Sequence, residues 1–307
     1  MSDHVIITGV KRAREHIPAH ELSQMCGRIG RIQDGLSYSA DIILNDEDYE
    51  TENALLAEEK KDARSNFNDI QKFSFYLLPK IISGDVHNKA DITRFFEKSF
   101  CFFQGNKIDE EKVIDYLLKN EAIAWDTEAF YPLDIGQIAH QYYMSSGDVK
   151  RIRDNFRRVI DSDRDSDGAI AWALGNLETI KIHGDFGDHR DELENFESNL
   201  PPDYFCDDGS VITSALWWCM MGNGVPGKQM ANNVRQLRKH YGRISMVLKE
   251  FGYDKQFCDD LDIRIRRNVS RELLPFFTDP NMTKSRASGL KWMGYNDATG
   301  TEEVEIE

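Results

Sequence analysis

The sequence predicts a mainly α-helical chain with a small α/β piece at its N-terminus. Three observations lead there. Two short apolar runs, Val5-Ile6-Ile7 and Ala40-Asp41-Ile42-Ile43-Leu44, lie within the first fifty residues and read as strands. Apolar residues then recur near helical spacing from Phe67 to Ile82. The clearest amphipathic pattern lies in residues 228–251. There Met230, Val234, Leu237, Tyr241, Ile244, Leu248 and Phe251 alternate spacings of four and three, giving one apolar stripe.

Taken in order, the first fifty residues read strand, loop, helix, strand. Two short strands cannot bury both faces of a sheet, so this piece reads as the end of a larger α/β domain whose other strands lie outside the chain. After the helix over Phe67–Ile82, Asp91 is expected to cap a short helix running through Phe95, Phe96 and Phe100. Asp109 is expected to cap another, with Val113, Ile114, Leu117 and Leu118 on its apolar face. In residues 122–134, Ile123, Trp125 and Tyr131 flank a polar tip, as in a hairpin. Three helices followed by a hairpin is the order of a winged-helix domain. From residue 146 helices dominate: one at 147–160, one around 168–183, and the long one at 228–251. The acid-rich stretch 185–210 reads as a solvated face and loop, and the last ten residues as an acidic tail. The expected divisions are 1–50, 51–145, 146–275, 276–297 and 298–307.

Composition narrows the function. The 307 residues carry 38 Lys and Arg against 53 Asp and Glu, a formal charge of −15, so the whole molecule does not attract phosphate backbones. Any nucleic-acid role must rest on a local basic surface. Residues 228–297 supply one, with fourteen Lys or Arg against eight Asp or Glu. A basic strip steers a strand by charge while planar side chains stack on bases. Candidate contacts are Arg235, Arg238, Lys239, Arg243, Lys284 and Arg286, the alternative being a solvated helix face. Trp217, Trp218 and Trp292 are either stacking groups or core. With 40% apolar residues, wholesale disorder is excluded. Five scattered Cys without a CxxC pair argue against a disulfide framework or a zinc site. No secretory leader or membrane-length apolar run is visible, and the expected setting is the cytoplasm or a host-cell interior. Asp163, Asp165, Asp167 and Gly168 follow the start of an EF-hand loop, but the twelfth position, which should be a bidentate Glu, is Leu174. An acidic turn is the expected reading, and no metal ligand set is assigned.

The sharpest motif is Gln24-Met25-Cys26-Gly27-Arg28-Ile29-Gly30-Arg31. Two arginines three residues apart, freed by glycines, can present guanidinium forks together, and a transferring phosphoryl group needs such a clamp. Taken in isolation, the same pattern also suits a surface Gly/Arg loop.

The segment resembles motif VI of superfamily-two helicases of the Ski-like and archaeal HelQ-like group, where the pattern is Gln-Met-x-Gly-Arg-Ala-Gly-Arg. Ile29 in place of Ala is the one departure. VIITGVKR resembles that family's strand after motif V, and ADIILND its last strand of the second RecA-like lobe. YPLDIGQIAHQYYMSS is similar to the junction leaving its winged helix, and residues 228–251 to its ratchet helix. LDIRIRRNVSRELLPFFTDPNMTKSRASGLKWMGY is similar to its helix-hairpin-helix-like end. The resemblance implies a partial RecA-like lobe, a winged helix and a helical ratchet bundle. It implies arginine fingers at Arg28 and Arg31, with Gln24 and Gly27 coupling nucleotide to nucleic acid, and 3′ to 5′ translocation on single-stranded DNA or RNA. No GxxxxGK[ST] loop and no DExH box occurs in the chain. ATP and Mg²⁺ are therefore expected only through a missing domain or a second chain carrying the N-terminal motor. The alternatives are a non-catalytic module that binds single strands or regulates a helicase, and, more weakly, a calcium-responsive helical protein.

Overall fold

A computed structural model describes residues 4–9, 11–12, 15–17, 21, 24–25, 39–44, 46, 49–50, 65–126, 128–161, 166–182, 190–207 and 209–298. The chain divides into two compact units, Met1–Ser65 and Asn66–Glu307.

In the first unit, β1 (His4–Thr8) pairs in parallel with β4 (Ser39–Ile43), in the register Val5 to Ala40 and Ile7 to Ile42. Parallel neighbours cannot be joined by a tight turn, so the chain between them must cross over. Two-residue strands β2 (Lys11–Arg12) and β3 (Glu15–His16) form an antiparallel pair. Ile7 and Ile17 are buried, with Val5, Ile42 and Leu44 packed against them. Gln24 and Met25 are helical and exposed.

The second unit is mainly helical. Helix α1 (Ile70–Ile82) is capped by Asp69, whose carboxylate accepts the Lys72 amide at 2.9 Å. Helix α2 (Lys89–Glu97) begins at Asn88 rather than Asp91. The Asn88 side chain accepts the Asp91 amide at 3.1 Å, and Asp91 reaches back to the His87 amide at 3.0 Å, so the two residues satisfy the first turn reciprocally. The helix stops at Glu97. Phe100 opens a separate single turn, α3 (Phe100–Phe103), capped by Ser99. Asp109 does cap α4 (Glu110–Lys119), accepting the Lys112 amide at 3.2 Å. The hairpin follows as β5 (Ile123–Trp125) and β6 (Phe130–Pro132), with Trp125 opposite Phe130. Phe73, Ile92, Val113, Leu117 and Ile123 form the core between these elements.

Helix α5 (Asp134–Gln141) leads into α6 (Ser146–Asp161), whose Val149, Ile152, Phe156 and Val159 are fully buried at helical spacing. Helix α7 (Asp167–Gly175) is buried on every side, as is α9 (Val211–Trp218) against which it packs. Their approach is close. A Cβ on Gly175 would stand 2.6 Å from the Ser214 Cα, so no larger residue fits. The helix expected around 168–183 ends at Gly175. Residues 177–182 run irregularly, because the buried Asp148 carboxylate takes the Glu178 amide at 2.5 Å and the Thr179 amide at 3.0 Å. A side chain from α6 thus replaces the helical ladder there. The stretch 185–210, expected as a solvated face and loop, contains α8 (Arg190–Asn199), whose Phe196 is buried and whose Leu193 packs against the core.

The long helix α10 (Ala231–Glu250) follows a short turn of 3-10 helix, Lys228–Met230. Its stripe packs as its spacing predicts: Met230, Val234, Leu237, Tyr241, Ile244 and Leu248 are all buried, joined by Val247. Helix α11 (Lys255–Arg267) packs against it and ends at Asn268 in the left-handed conformation. A 3-10 stretch, Arg271–Thr278, and helix α12 (Lys284–Trp292) share a smaller core of Val269, Leu273, Phe276, Met282 and Ala287. No helix of the described residues is long and apolar enough to cross a membrane.

One buried ion pair ties the unit together. Arg264 is 3% exposed and grips Asp167, the first residue of α7, with both guanidinium nitrogens, at 2.7 Å for Nη1. Arg264 also donates to the Met221 carbonyl at 2.9 Å and, through Nε, to Val269 at 3.4 Å. Asn223 Nδ2 donates to Asp167 Oδ2, the oxygen that Arg264 Nη2 also binds, at 2.8 Å. Burial pushes the Asp167 carboxyl up. The Arg264 bonds and charge outweigh that and hold it below its ordinary range. Asp167 is therefore a structural residue, and Gly168 lies inside a helix rather than in a cation loop. Asp163 and Asp165 lie outside the described residues, and Leu174 is fully buried.

Candidate nucleic-acid interface

The basic side chains of α10 divide into three kinds. Arg238 and Arg243 are exposed yet engaged. Arg238 Nε donates to the Ile265 carbonyl of α11 at 3.3 Å, and Arg243 Nη1 donates to the Tyr143 carbonyl at 3.2 Å. Each guanidinium keeps further N–H groups for another acceptor. Arg235 and Lys239 are exposed, and neither makes an ion pair among the described residues. They are separated by four residues, so they project from one edge of the helix, with Arg243 one turn further on. Lys249, at the C-terminal end, is different. Asp259 of α11 binds its ammonium at 2.7 Å, and that hydrogen bond holds its pKa above the ordinary lysine range.

The stripe explains why the cations face outward. Burying positions 234, 237, 241, 244 and 248 leaves 235, 239 and 243 no face but the solvent side. His240 is half-buried beside them. Burial, then the Arg243 charge, lower its pKa, so the imidazole is neutral at neutral pH and leaves the positive charge to its neighbours.

Lys284 and Arg286 occupy the first turn of α12, both exposed. Thr283 caps that helix, its hydroxyl accepting the Arg286 amide at 3.3 Å. Lys291, on the last turn, pairs with Glu272. The tryptophans separate clearly. Trp217 and Trp218 are core residues, whereas Trp292 is 88% exposed.

Of the residues assigned to nucleotide coupling, Gln24 is exposed and Gly27 lies outside the described residues, as do the expected arginine fingers Arg28 and Arg31. Sequence reasoning missed the two carbonyl anchors of Arg238 and Arg243, because nothing local encodes an acceptor 27 or 100 residues away. It also missed Tyr142 and Tyr143, which follow α5. The Tyr142 hydroxyl donates to Glu250 at 2.5 Å and joins the end of α10 to the end of α5. No protein-family model matches the sequence, and no curated protein matches it.

Proposed function

We propose that this chain is the C-terminal portion of a superfamily-two nucleic-acid helicase of the Ski-like and HelQ-like group. In this reading β1 and β4 are the last strands of the second RecA-like lobe, α1 to β6 a winged helix, and α6 to α11 the ratchet. The observation that carries it is the Gln24–Arg31 segment, which falls in sequence within the crossover between two parallel strands. That is the setting in which two arginines can reach a triphosphate held by another part of the motor. The outward basic edge of α10 supports the same reading, since it offers a single strand a run of cations on an otherwise acidic molecule. Arg28 and Arg31 supply the transition-state charge. Gln24 and Gly27 link nucleotide to nucleic acid. Arg235, Arg238, Lys239 and Arg243, with Lys284 and Arg286, hold the strand.

ATP and Mg²⁺ are held by a phosphate loop and DExH carboxylates of a missing or partner domain, and residues 1–307 alone do not turn over ATP. The test combines the purified chain with the polypeptide encoded immediately upstream and follows nucleic-acid-stimulated ATPase. Arg31→Ala is expected to lower turnover about 10³-fold or more, the usual worth of an arginine finger. A partner that carries the Walker loop, binds this chain and hydrolyses ATP equally well with Arg31→Ala would overturn the assignment in favour of a non-catalytic binding module.

A further inference from the structure

The strand-gripping edge of α10 leaves one aromatic cluster unexplained. On α1, Phe75 and Tyr76 meet edge to face with centroids 5.3 Å apart, and Tyr143 stands 6.4 Å from Phe75. With Pro79, His140 and Met144 they line an open cavity of about 290 Å³. Tyr143 is 69% exposed, and Tyr76, whose ring also meets that of Phe67 at 5.1 Å, is 54% exposed.

Two features separate this cluster from other exposed aromatics such as Phe103. The first is backbone conformation. Tyr143 adopts a positive φ of 53° where α5 terminates, while the Met144 amide closes back on the Ala139 carbonyl at 3.0 Å. Glycine is the unstrained residue at such a terminus. Tyr143 holds this strained conformation with its ring exposed rather than buried. The second is charge. Arg243 is bonded to the carbonyl of Tyr143 itself, and Lys239 and Arg235 follow one and two turns along the same helix edge. No carboxylate among the described residues lines the cavity.

Cations in a row ending at exposed tyrosine faces match a phosphate backbone that carries planar bases. We infer that Tyr143, with Tyr76 beside it, is a base-stacking platform for single-stranded nucleic acid whose phosphates run along Arg243, Lys239 and Arg235. The inference rests on the proposed function in one respect, that α10 grips a strand.

The full chain is titrated at low salt against fluorescein-labelled oligodeoxyuridylate, oligouridylate and an abasic oligomer of equal length, with anisotropy as the readout. Tyr143→Gly removes the ring and relaxes the turn, so the melting temperature holds or rises. Its affinity for the two base-bearing oligomers falls roughly tenfold, while binding to the abasic oligomer is unchanged. Tyr143→Phe keeps wild-type affinity, and the oligomer bound more tightly identifies the sugar. The double variant Arg235→Ala/Lys239→Ala weakens all three oligomers. If the double variant weakens binding but Tyr143→Gly does not, the platform is wrong and the grip of α10 stands. Equal loss on the abasic oligomer reduces Tyr143 to a structural role and overturns stacking. If the wild-type chain binds neither base-bearing oligomer, the platform and the grip fail together.

Discussion

Replacing Asp167 with Ala tests the packing of the helical unit most directly. The carboxylate is four-fifths buried, Arg264 is almost wholly so, and the guanidinium has no route to water once its partner is gone. Removing one member of a buried pair leaves an uncompensated charge and costs about 3–5 kcal/mol. The remaining contacts of Arg264, the carbonyls of Met221 and Val269, are neutral acceptors and do not restore the balance. Arg271, whose Nη2 lies 3.5 Å from Asp167, loses its electrostatic partner at the same step. With a urea dependence of about 2–3 kcal/mol per molar, the unfolding midpoint followed by tryptophan fluorescence should drop by roughly 1.5 M. The double variant Asp167→Ala/Arg264→Met should recover much of that loss, because an apolar pair no longer strands a charge. The pH response has a definite sign. The Asp167 pKa is depressed in the folded state, so its contribution is complete above the ordinary carboxylate value near 3.8 and disappears as pH falls below it. A cost under about 1 kcal/mol at neutral pH, typical of exposed pairs, would refute the description of Arg264 as a buried, singly compensated cation.

Three further outcomes follow from local geometry. Gly222 has φ +92°, and a Cβ there would lie 2.1 Å from the Ser270 amide nitrogen. Gly222→Ala should therefore destabilise by roughly 3 kcal/mol in the same urea experiment. Asp109→Ala removes the cap of α4 and should cost about 1 kcal/mol, seen as a melting point some 2–4 °C lower. Glu121 accepts two bonds from Arg153, at 2.8 and 3.0 Å, and contacts Lys150 at 3.1 Å. The Arg153 bonds first, then Lys150, pull its pKa down to about 2. The stability difference between wild type and Glu121→Gln should be constant above the ordinary value of 4.5 and close as pH falls from there towards 2.

Where the sequence was legible, the reason was periodicity or a local cap. Helix α10 shows one stripe against one polar edge, and all of its stripe residues from Met230 to Leu248 are buried. Asp109 is followed at once by an acidic first turn and a clean apolar spacing, so the start of α4 could be placed. Asn88 and Asp91, three residues apart, are equally good capping types, so the sequence does not single out the cap, and the two share the task. Helices α7 and α9 show no apolar stripe because they have no solvent face, and a fully buried helix carries no period to read. The irregular run at 177–182 is set by Asp148, thirty residues earlier, and no window of sequence reveals that. The same limit applies to the site. The cations of α10 could be listed from spacing alone. Their anchorage to Ile265 and Tyr143, and the aromatic cluster beside Arg243, depend on contacts between distant segments.

Helix α10 is bolted to its surroundings at several heights. Arg238 bonds to α11, the buried Tyr241 hydroxyl donates to the Cys258 carbonyl at 3.3 Å, Arg243 holds the turn after α5, and Glu250 receives Tyr142. A rod pinned this way neither slides along its axis nor rolls about it without breaking bonds on two flanks. A load applied to its outer edge is delivered to α11 and to the end of α5 together. The helix thus acts as a stiff strut between the two flanks.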